Sequence, residues 1–175
     1  YIKRTNIPNR LIPIVEPDPL GTGGAVNYAI SNYAISNIFF VINGDTLSDL
    51  NLDKMYLSFQ EQRSEAMIGL SSISDVERYG KVEIENNKII NITEKGIKGF
   101  GWINNGHYIF KKSIFKNYSG SFSLEKDIFP AIIQQKKLSF FKVDNDKFID
   151  IGIPIDYYKL HDGYRVDKND NKNSR

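Results

Sequence analysis

The run Ile38-Phe39-Phe40-Val41-Ile42, cut off by Asn43-Gly44-Asp45, constrains this chain more than any other stretch. Five consecutive apolar residues, β-branched or aromatic, have no polar face to offer water. They predict a strand buried on both faces, as in a parallel sheet covered by helices. Upstream, Leu11-Ile12-Pro13-Ile14-Val15 is interrupted by Pro, which suggests an edge strand or the first residues of one. Between the two, Ala25, Val26, Ala29, Ile30, Tyr33 and Ala34 recur at helical spacing up to about Ser36, after a bent loop at Glu16 to Gly24. A polar helix is predicted from Leu52 to about Arg63, and Ala66 to Leu70 is the next buried strand. This β-α-β-α-β order predicts an α/β domain with right-handed crossovers.

The second half has a different texture. Lys81 to Glu85 alternates, Asn86-Asn87 is a turn signal, and Lys88 to Thr93 alternates again with Ile90 and Ile92 on one side, predicting a β-hairpin. Gly101 to Phe110 reads as a strand. Ser123 is placed to cap a helix from Leu124 to about Gln134, with Glu125 near its positive end. Leu138 to Val143 and Lys147 to Ile151 read as strands, and Pro154 opens a last helix. The 175 residues match a single domain, assigned here to residues 1–160, followed by a polar tail at 161–175 that is expected to be disordered.

Composition removes several classes of function. Twenty-three Lys plus Arg against 21 Asp plus Glu leave a formal charge of +2, too small for a general nucleic-acid or membrane-surface binder. No apolar run approaches the ~20 residues that a membrane-spanning helix needs. The absence of cysteine excludes disulfides, Cys-ligated zinc and thiol nucleophiles, and fits a cytoplasmic protein. His107 and His161 lack metal-ligand spacing, and no GxSxG elbow is present.

Two aspartates stand out. Asp45 follows the end of a buried strand, where open α/β sheets place their ligand crevices, although Asn-Gly-Asp is also ordinary turn chemistry. Asp150 sits in Phe148-Ile149-Asp150-Ile151-Gly152, a carboxylate among apolar residues that calls for a cation, strong donors or a capping role. Two strand-end carboxylates suit Mg²⁺, which is held by one or two carboxylates with water and phosphate oxygens in the other positions. The loop Leu20-Gly21-Thr22-Gly23-Gly24 precedes a helix and offers backbone N–H groups to a nucleotide, though such glycine runs also occur as plain turns. Glu94-Lys95 offers a carboxylate and an ammonium to a sugar phosphate, or forms an exposed ion pair. Asn104-Asn105-Gly106 beside Tyr108 offers amides to a sugar, or forms a strand bulge. Glu125 reads first as a helix-terminus charge and second as a ligand.

In order, Pro19-Leu20-Gly21-Thr22-Gly23-Gly24-Ala25, Asn43-Gly44-Asp45, Arg78-Tyr79-Gly80, Glu94-Lys95, Asn105-Gly106, Ser123-Leu124-Glu125-Lys126-Asp127 and Phe148-Ile149-Asp150-Ile151-Gly152 resemble the sugar 1-phosphate nucleotidyltransferase family. Within it the pattern most resembles the D-glycero-D-manno-heptose 1-phosphate guanylyltransferases, with the mannose-1-phosphate guanylyltransferases next. The resemblance implies a three-layer, Rossmann-like fold with a mixed, mostly parallel sheet and a β-hairpin insertion. It implies that Leu20, Gly21, Thr22, Gly23, Gly24, Asn43 and Gly44 contact a nucleoside triphosphate, GTP being favoured. Asp45 and Asp150 would be the catalytic residues and hold Mg²⁺, while Gly80, Glu94, Lys95, Asn105 and Glu125 would line the pocket for a sugar 1-phosphate. The implied reaction joins the two substrates with release of pyrophosphate, for nucleotide-sugar and polysaccharide biosynthesis.

The family's opening Gly-rich, Arg-containing signature and the Pro-Lys segment after it do not occur in this sequence. With Tyr1 in place of an initiating Met, this predicts an N-terminally truncated domain whose sheet lacks its first strands, which exposes an edge to association with another copy. Two other readings use the same residues: a glycosyltransferase of the same fold, and a non-catalytic module that binds sugar nucleotides.

Overall fold

A computed structural model describes residues 11–33, 35–93, 95–143, 148–152, 156–158 and 160. Its elements are α1 (Gly21–Asn32), β1 (Ile38–Ile42), β2 (Thr46–Leu47), α2 (Leu52–Gln62), β3 (Ala66–Ile73), β4 (Lys81–Glu85), β5 (Lys88–Ile92) and β6 (Gly101–Lys111). There follow a 3₁₀ turn (Lys112–Phe115), a π-helical turn (Leu124–Ile128) running into α3 (Phe129–Gln134), then β7 (Leu138–Val143) and β8 (Ile149–Asp150).

Side chains of a strand alternate between the faces of its sheet, and here both faces are covered. Ala66, Ile68 and Leu70 of β3 and Tyr108 and Phe110 of β6 pack with Leu124, Ile128, Phe129 and Ile132, with Val26 and Ile30 of α1 against the same cluster. Met67 and Ile109, one residue out of phase, pack instead with Met55 and Phe59 of α2. The expected three layers follow from this alternation.

The mixed α/β class stands, but strand direction differs from expectation. The six-stranded sheet runs β5-β4-β6-β3-β7, with β1 also on β6. Among the described residues only β3 and β7 pair in parallel; β1–β6, β3–β6, β4–β5 and β4–β6 are antiparallel. The run Ile38–Ile42 is accordingly not a doubly buried parallel strand. It has one strand neighbour among the described residues, and Phe40 and Ile42 are 37% and 47% exposed. A continuous apolar run does not specify which direction its partner takes. The expected edge strand at Leu11–Val15 does not form, and Val15 is exposed.

The glycine loop is corrected too: Gly21 to Gly24 form the first turn of α1 rather than a loop before it. The segment Gly120–Phe122 explains why. The Phe122 carbonyl accepts from the N–H groups of Gly23 and Gly24 at 3.0 and 3.1 Å, and Phe122 N–H donates to the Leu20 carbonyl. A Cβ on Gly23 would lie 2.4 Å from the Phe122 ring, and one on Gly24 would lie 2.7 Å from the Gly120 carbonyl oxygen.

Other local signals hold. Asn86 and Asn87 both take positive φ, 48° and 58°, as a two-residue type I′ hairpin turn requires. A register shift between Glu83 and Ile84 puts Ile89 in the core and leaves Ile90 half exposed, so Ile90 and Ile92 do not share a face as expected. Ser123 Oγ accepts from the N–H groups of Glu125 and Lys126, capping the helix as predicted. Strand Lys147 to Ile151 shortens to β8, with Lys147 outside the described residues, as are Pro154 and the tail 161–175.

Replacing Gly24 with Ala should gain about 1 kcal/mol of helix propensity. The new methyl meets a backbone oxygen that cannot rotate away, so the overpacking cost of about 1–3 kcal/mol should win. Gly24→Ala should therefore lower the urea midpoint; an unchanged or higher midpoint would show that segment 120–122 yields.

Candidate functional site

The site forms where the edge of β6 is left open. Along that edge β1 pairs with residues 107–111 and β4 with residues 102–103, so Asn104 to Gly106 lie between the two partners. On the other edge the register slips between Ile68 and Leu70, which makes this stretch the bulge that the Asn-Asn-Gly spacing allowed. Gly106 is at φ 77°, and a Cβ there would lie 2.8 Å from Thr46 Oγ1 and 2.9 Å from Asn43. Asn43 N–H donates to the Gly106 carbonyl at 2.8 Å, which directs the chain leaving β1 across the notch and delivers Asp45 there.

Asp45 and Asp150 come together at this point. β2 and β8 form a two-residue antiparallel ladder, Thr46 opposite Asp150 and Leu47 opposite Ile149, and Ile151 N–H donates to the Asp45 carbonyl at 2.8 Å. Gly152 lies between the two carboxylates: a Cβ on it would be 3.1 Å from Asp150 Oδ1 and 3.1 Å from Asp45 Oδ2. The two oxygens are thus no farther apart than twice that distance. Asp45 is exposed and Asp150 half-buried, with Gly152 N–H donating to Asp150 Oδ1 at 3.0 Å. No group of three or more His, Cys, Asp or Glu suited to a metal occurs among the described residues. A cation held here would have to complete its shell with oxygens from water or substrate.

A second cluster links the start of α1 to the π turn. Thr22 Oγ1 donates to Glu125 Oε2 at 2.8 Å and accepts from Leu124 N–H, and Ser123 Oγ also donates to Glu125 Oε2 at 2.8 Å. Glu125 is therefore held by two hydroxyls, not merely placed near a helix end. Tyr108 is fully buried, and its hydroxyl accepts from Asn104 Nδ2 at 2.7 Å. Burial pushes the Tyr108 pKa up beyond the usual tyrosine range; the charges of Glu125 and Asp45 act in the same direction and the Asn104 hydrogen bond acts against it.

Some expected site residues have other work. The N–H groups of Gly23 and Gly24 point at Phe122, not outward, because the glycines admit a neighbouring segment. Asn105 is buried; its Nδ2 donates to Ser71 Oγ, its Oδ1 accepts from His107 N–H, and it holds the bulge rather than facing an open pocket. Asn104, partly exposed beside it, is the better placed amide. Gly80 packs under the hairpin, where a Cβ would be 2.5 Å from the Thr93 carbonyl oxygen. Lys95 is exposed, and Glu94 lies outside the described residues. Asn43 and Gly44 are exposed on the loop that carries Asp45. Gly152 and Thr46 are not among the site residues that the sequence suggests. Thr46 Oγ1 is buried against Gly106 with no hydrogen-bond partner, a feature that no local pattern announces.

Comparison with known proteins bears on this arrangement. A family model described as "Nucleotidyl transferase" matches residues 2–166. The D-glycero-alpha-D-manno-heptose 1-phosphate guanylyltransferase of Aneurinibacillus thermoaerophilus is 39% identical over 147 residues, covering 83% of this chain and 63% of that protein. The enzyme of the same name from Campylobacter jejuni is 37% identical over 148 residues, covering 82% and 63%. This chain thus spans 63% of the length of these relatives. The crystal structure of HddC from Yersinia pseudotuberculosis superposes with a TM-score of 0.82 at 38% identity, covering 93% of this chain and 71% of that one. The same protein complexed with GMP-PN gives 0.81.

A tyrosine whose pKa is raised by folding contributes stability below its unfolded value, and loses it as pH rises past that value. The stability difference between the protein and Tyr108→Phe, from urea melts, should therefore shrink above about pH 10. A pH-independent difference would contradict the assignment.

Proposed function

This chain belongs to the nucleotidyl transferase family, and from that premise we propose that it carries the catalytic carboxylates of an enzyme that transfers a nucleotide, GTP favoured, to a sugar 1-phosphate of heptose or mannose type. The observation that carries the reading is the meeting of Asp45 and Asp150 at Gly152. The heptose 1-phosphate guanylyltransferases among its relatives, and an HddC crystallised with GMP-PN, support the substrates.

The residues fit a divalent cation. The donor set is two carboxylates from separate segments, and the residue next to both is the one type without a side chain to fill the space. Asp45 and Asp150 would hold Mg²⁺, which would neutralise phosphate charge as two anions approach one another. In the reaction an oxygen of the sugar 1-phosphate attacks the α-phosphorus, the bond to the β-phosphate oxygen breaks, and pyrophosphate leaves with that electron pair. No protein nucleophile is required. The work of the chain is alignment and charge neutralisation. Leu20 to Thr22, with Asn43 and Gly44, would border the nucleotide. Glu125, Lys95, Glu94, Gly80 and Asn104, on the bulge that Asn105 holds from within, would border the sugar phosphate.

The product is a nucleotide sugar of the kind consumed in polysaccharide biosynthesis, made in the cytoplasm where nucleoside triphosphates are present. No helix among the described residues is long and apolar enough to cross a membrane.

In the complete protein, Asp45→Ala or Asp150→Ala should cut pyrophosphate release from GTP and sugar 1-phosphate by about a hundredfold or more at saturating Mg²⁺. Near-normal rates would end the assignment. Release of a nucleoside diphosphate from a nucleotide sugar would indicate glycosyl transfer instead, and binding without turnover a sensing module.

A further inference from the structure

Among the described residues, β8 has a short hold on the molecule. Its ladder is two residues long and is made with β2, outside the six-stranded sheet. Paired strands of this length do not hold their geometry alone. Two consecutive residues between β3 and β4 reach the segments on either side of it. Arg78 Nη2 donates to Asp156 Oδ2 at 2.9 Å, past the carboxyl end of β8. The Tyr79 ring meets the Phe148 ring edge-on, centroids 5.4 Å apart at 83°, just before β8 begins. The Arg78 guanidinium also lies 5.7 Å from the Tyr79 ring centroid, which ties the two contacts together. Asp150 is bracketed by them, and its charge reaches both Arg78 and Tyr79.

We propose that Arg78 and Tyr79 are positioning residues, a latch that fixes Asp150 at its distance from Asp45 by gripping Phe148 and Asp156. The latch acts on the site through the placement of Asp150. As a device for catalysis it rests on the reading that the two aspartates share a divalent ion. A half-exposed ion pair contributes little to global stability. Its effect is local because the chain it restrains has so short a ladder. An edge-to-face ring pair adds direction, since it favours one mutual orientation. Arg suits the first position better than Lys: the planar fork can bond Asp156 while its face rests on Tyr79.

The test compares the complete protein with Arg78→Ala, Tyr79→Ala, Tyr79→Phe, the charge swap Arg78→Asp with Asp156→Arg, and Asp150→Asn as reference. One readout is amide exchange at Ile151, whose N–H bonds across the ladder to Asp45, against Ile68 in the centre of the sheet. The other is Mn²⁺ binding without substrates, followed by electron paramagnetic resonance. Arg78→Ala and Tyr79→Ala should speed exchange at Ile151 about tenfold and leave Ile68 unchanged. They should weaken Mn²⁺ binding about three- to tenfold. Tyr79→Phe, which keeps the ring, should behave as the parent, and the charge swap should restore both readouts toward it.

Unchanged exchange at Ile151 in both alanine variants overturns the latch, whatever happens to the metal. A general rise in exchange that includes Ile68 overturns it also, because the role would then be structural. If Asp150→Asn leaves Mn²⁺ binding intact, the metal reading fails while Ile151 still decides the latch. Should the alanine variants not fold, a folded charge swap with fast exchange at Ile151 counts against the proposal.

Discussion

The two-residue contact between Thr46-Leu47 and Ile149-Asp150 is the constraint on which the site depends. It joins two carboxylates from distant parts of the chain, and it is far too short to form by itself. Its geometry is inherited from larger elements. β6 aligns β1, β1 aims the Asn43–Asp45 loop, and the hydrogen bond from Asn43 to Gly106 turns that loop across the sheet edge. The register slip on the β3 side of the same stretch lets a small residue of positive φ sit where a side chain would collide with Asn43 and Thr46. A change at Gly106 would therefore be felt at Asp45 without touching it.

The core explains why this edge is dependable. Tyr108 and Phe110 point to one face and Ile109 to the other, so β6 is locked by both hydrophobic clusters at once. A one-residue slip would bring the wrong side chains to both faces. The irregular stretch at 104–106 is tolerated because the regular stretch after it is so strongly fixed. Buried polar groups follow the same logic: the Asn105 amide is engaged with Ser71 and His107, which stiffens the bulge under the loop.

Much of this was legible, and the failures have physical causes. Asp45 stands out because it follows an apolar strand at the place where α/β sheets open their ligand crevices, and the Asn86-Asn87 turn because its chemistry is local. The meeting of Asp45 with Asp150 was not encoded locally, because a two-residue ladder has no propensity signature. The direction of β1 was misread since a run of apolar residues looks the same beside a parallel or an antiparallel neighbour. Gly23 and Gly24 suggest a nucleotide contact or a plain turn, because a glycine reports that something approaches closely, not what. Here it is the Phe122 ring and the Gly120 carbonyl. Asn105 likewise read as a pocket amide, whereas the packing of β3 against β6 buries it.

The most direct test of shared carboxylate coordination is anomalous diffraction from a crystal of the complete protein grown with Mn²⁺ and a non-reacting GTP analogue. The account predicts one strong peak in the notch beside Gly152, with an oxygen of Asp45 and an oxygen of Asp150 each within about 2.2 Å, close to the distance that Mg²⁺ requires. A peak bound by only one of the two, or lying away from both, would contradict it.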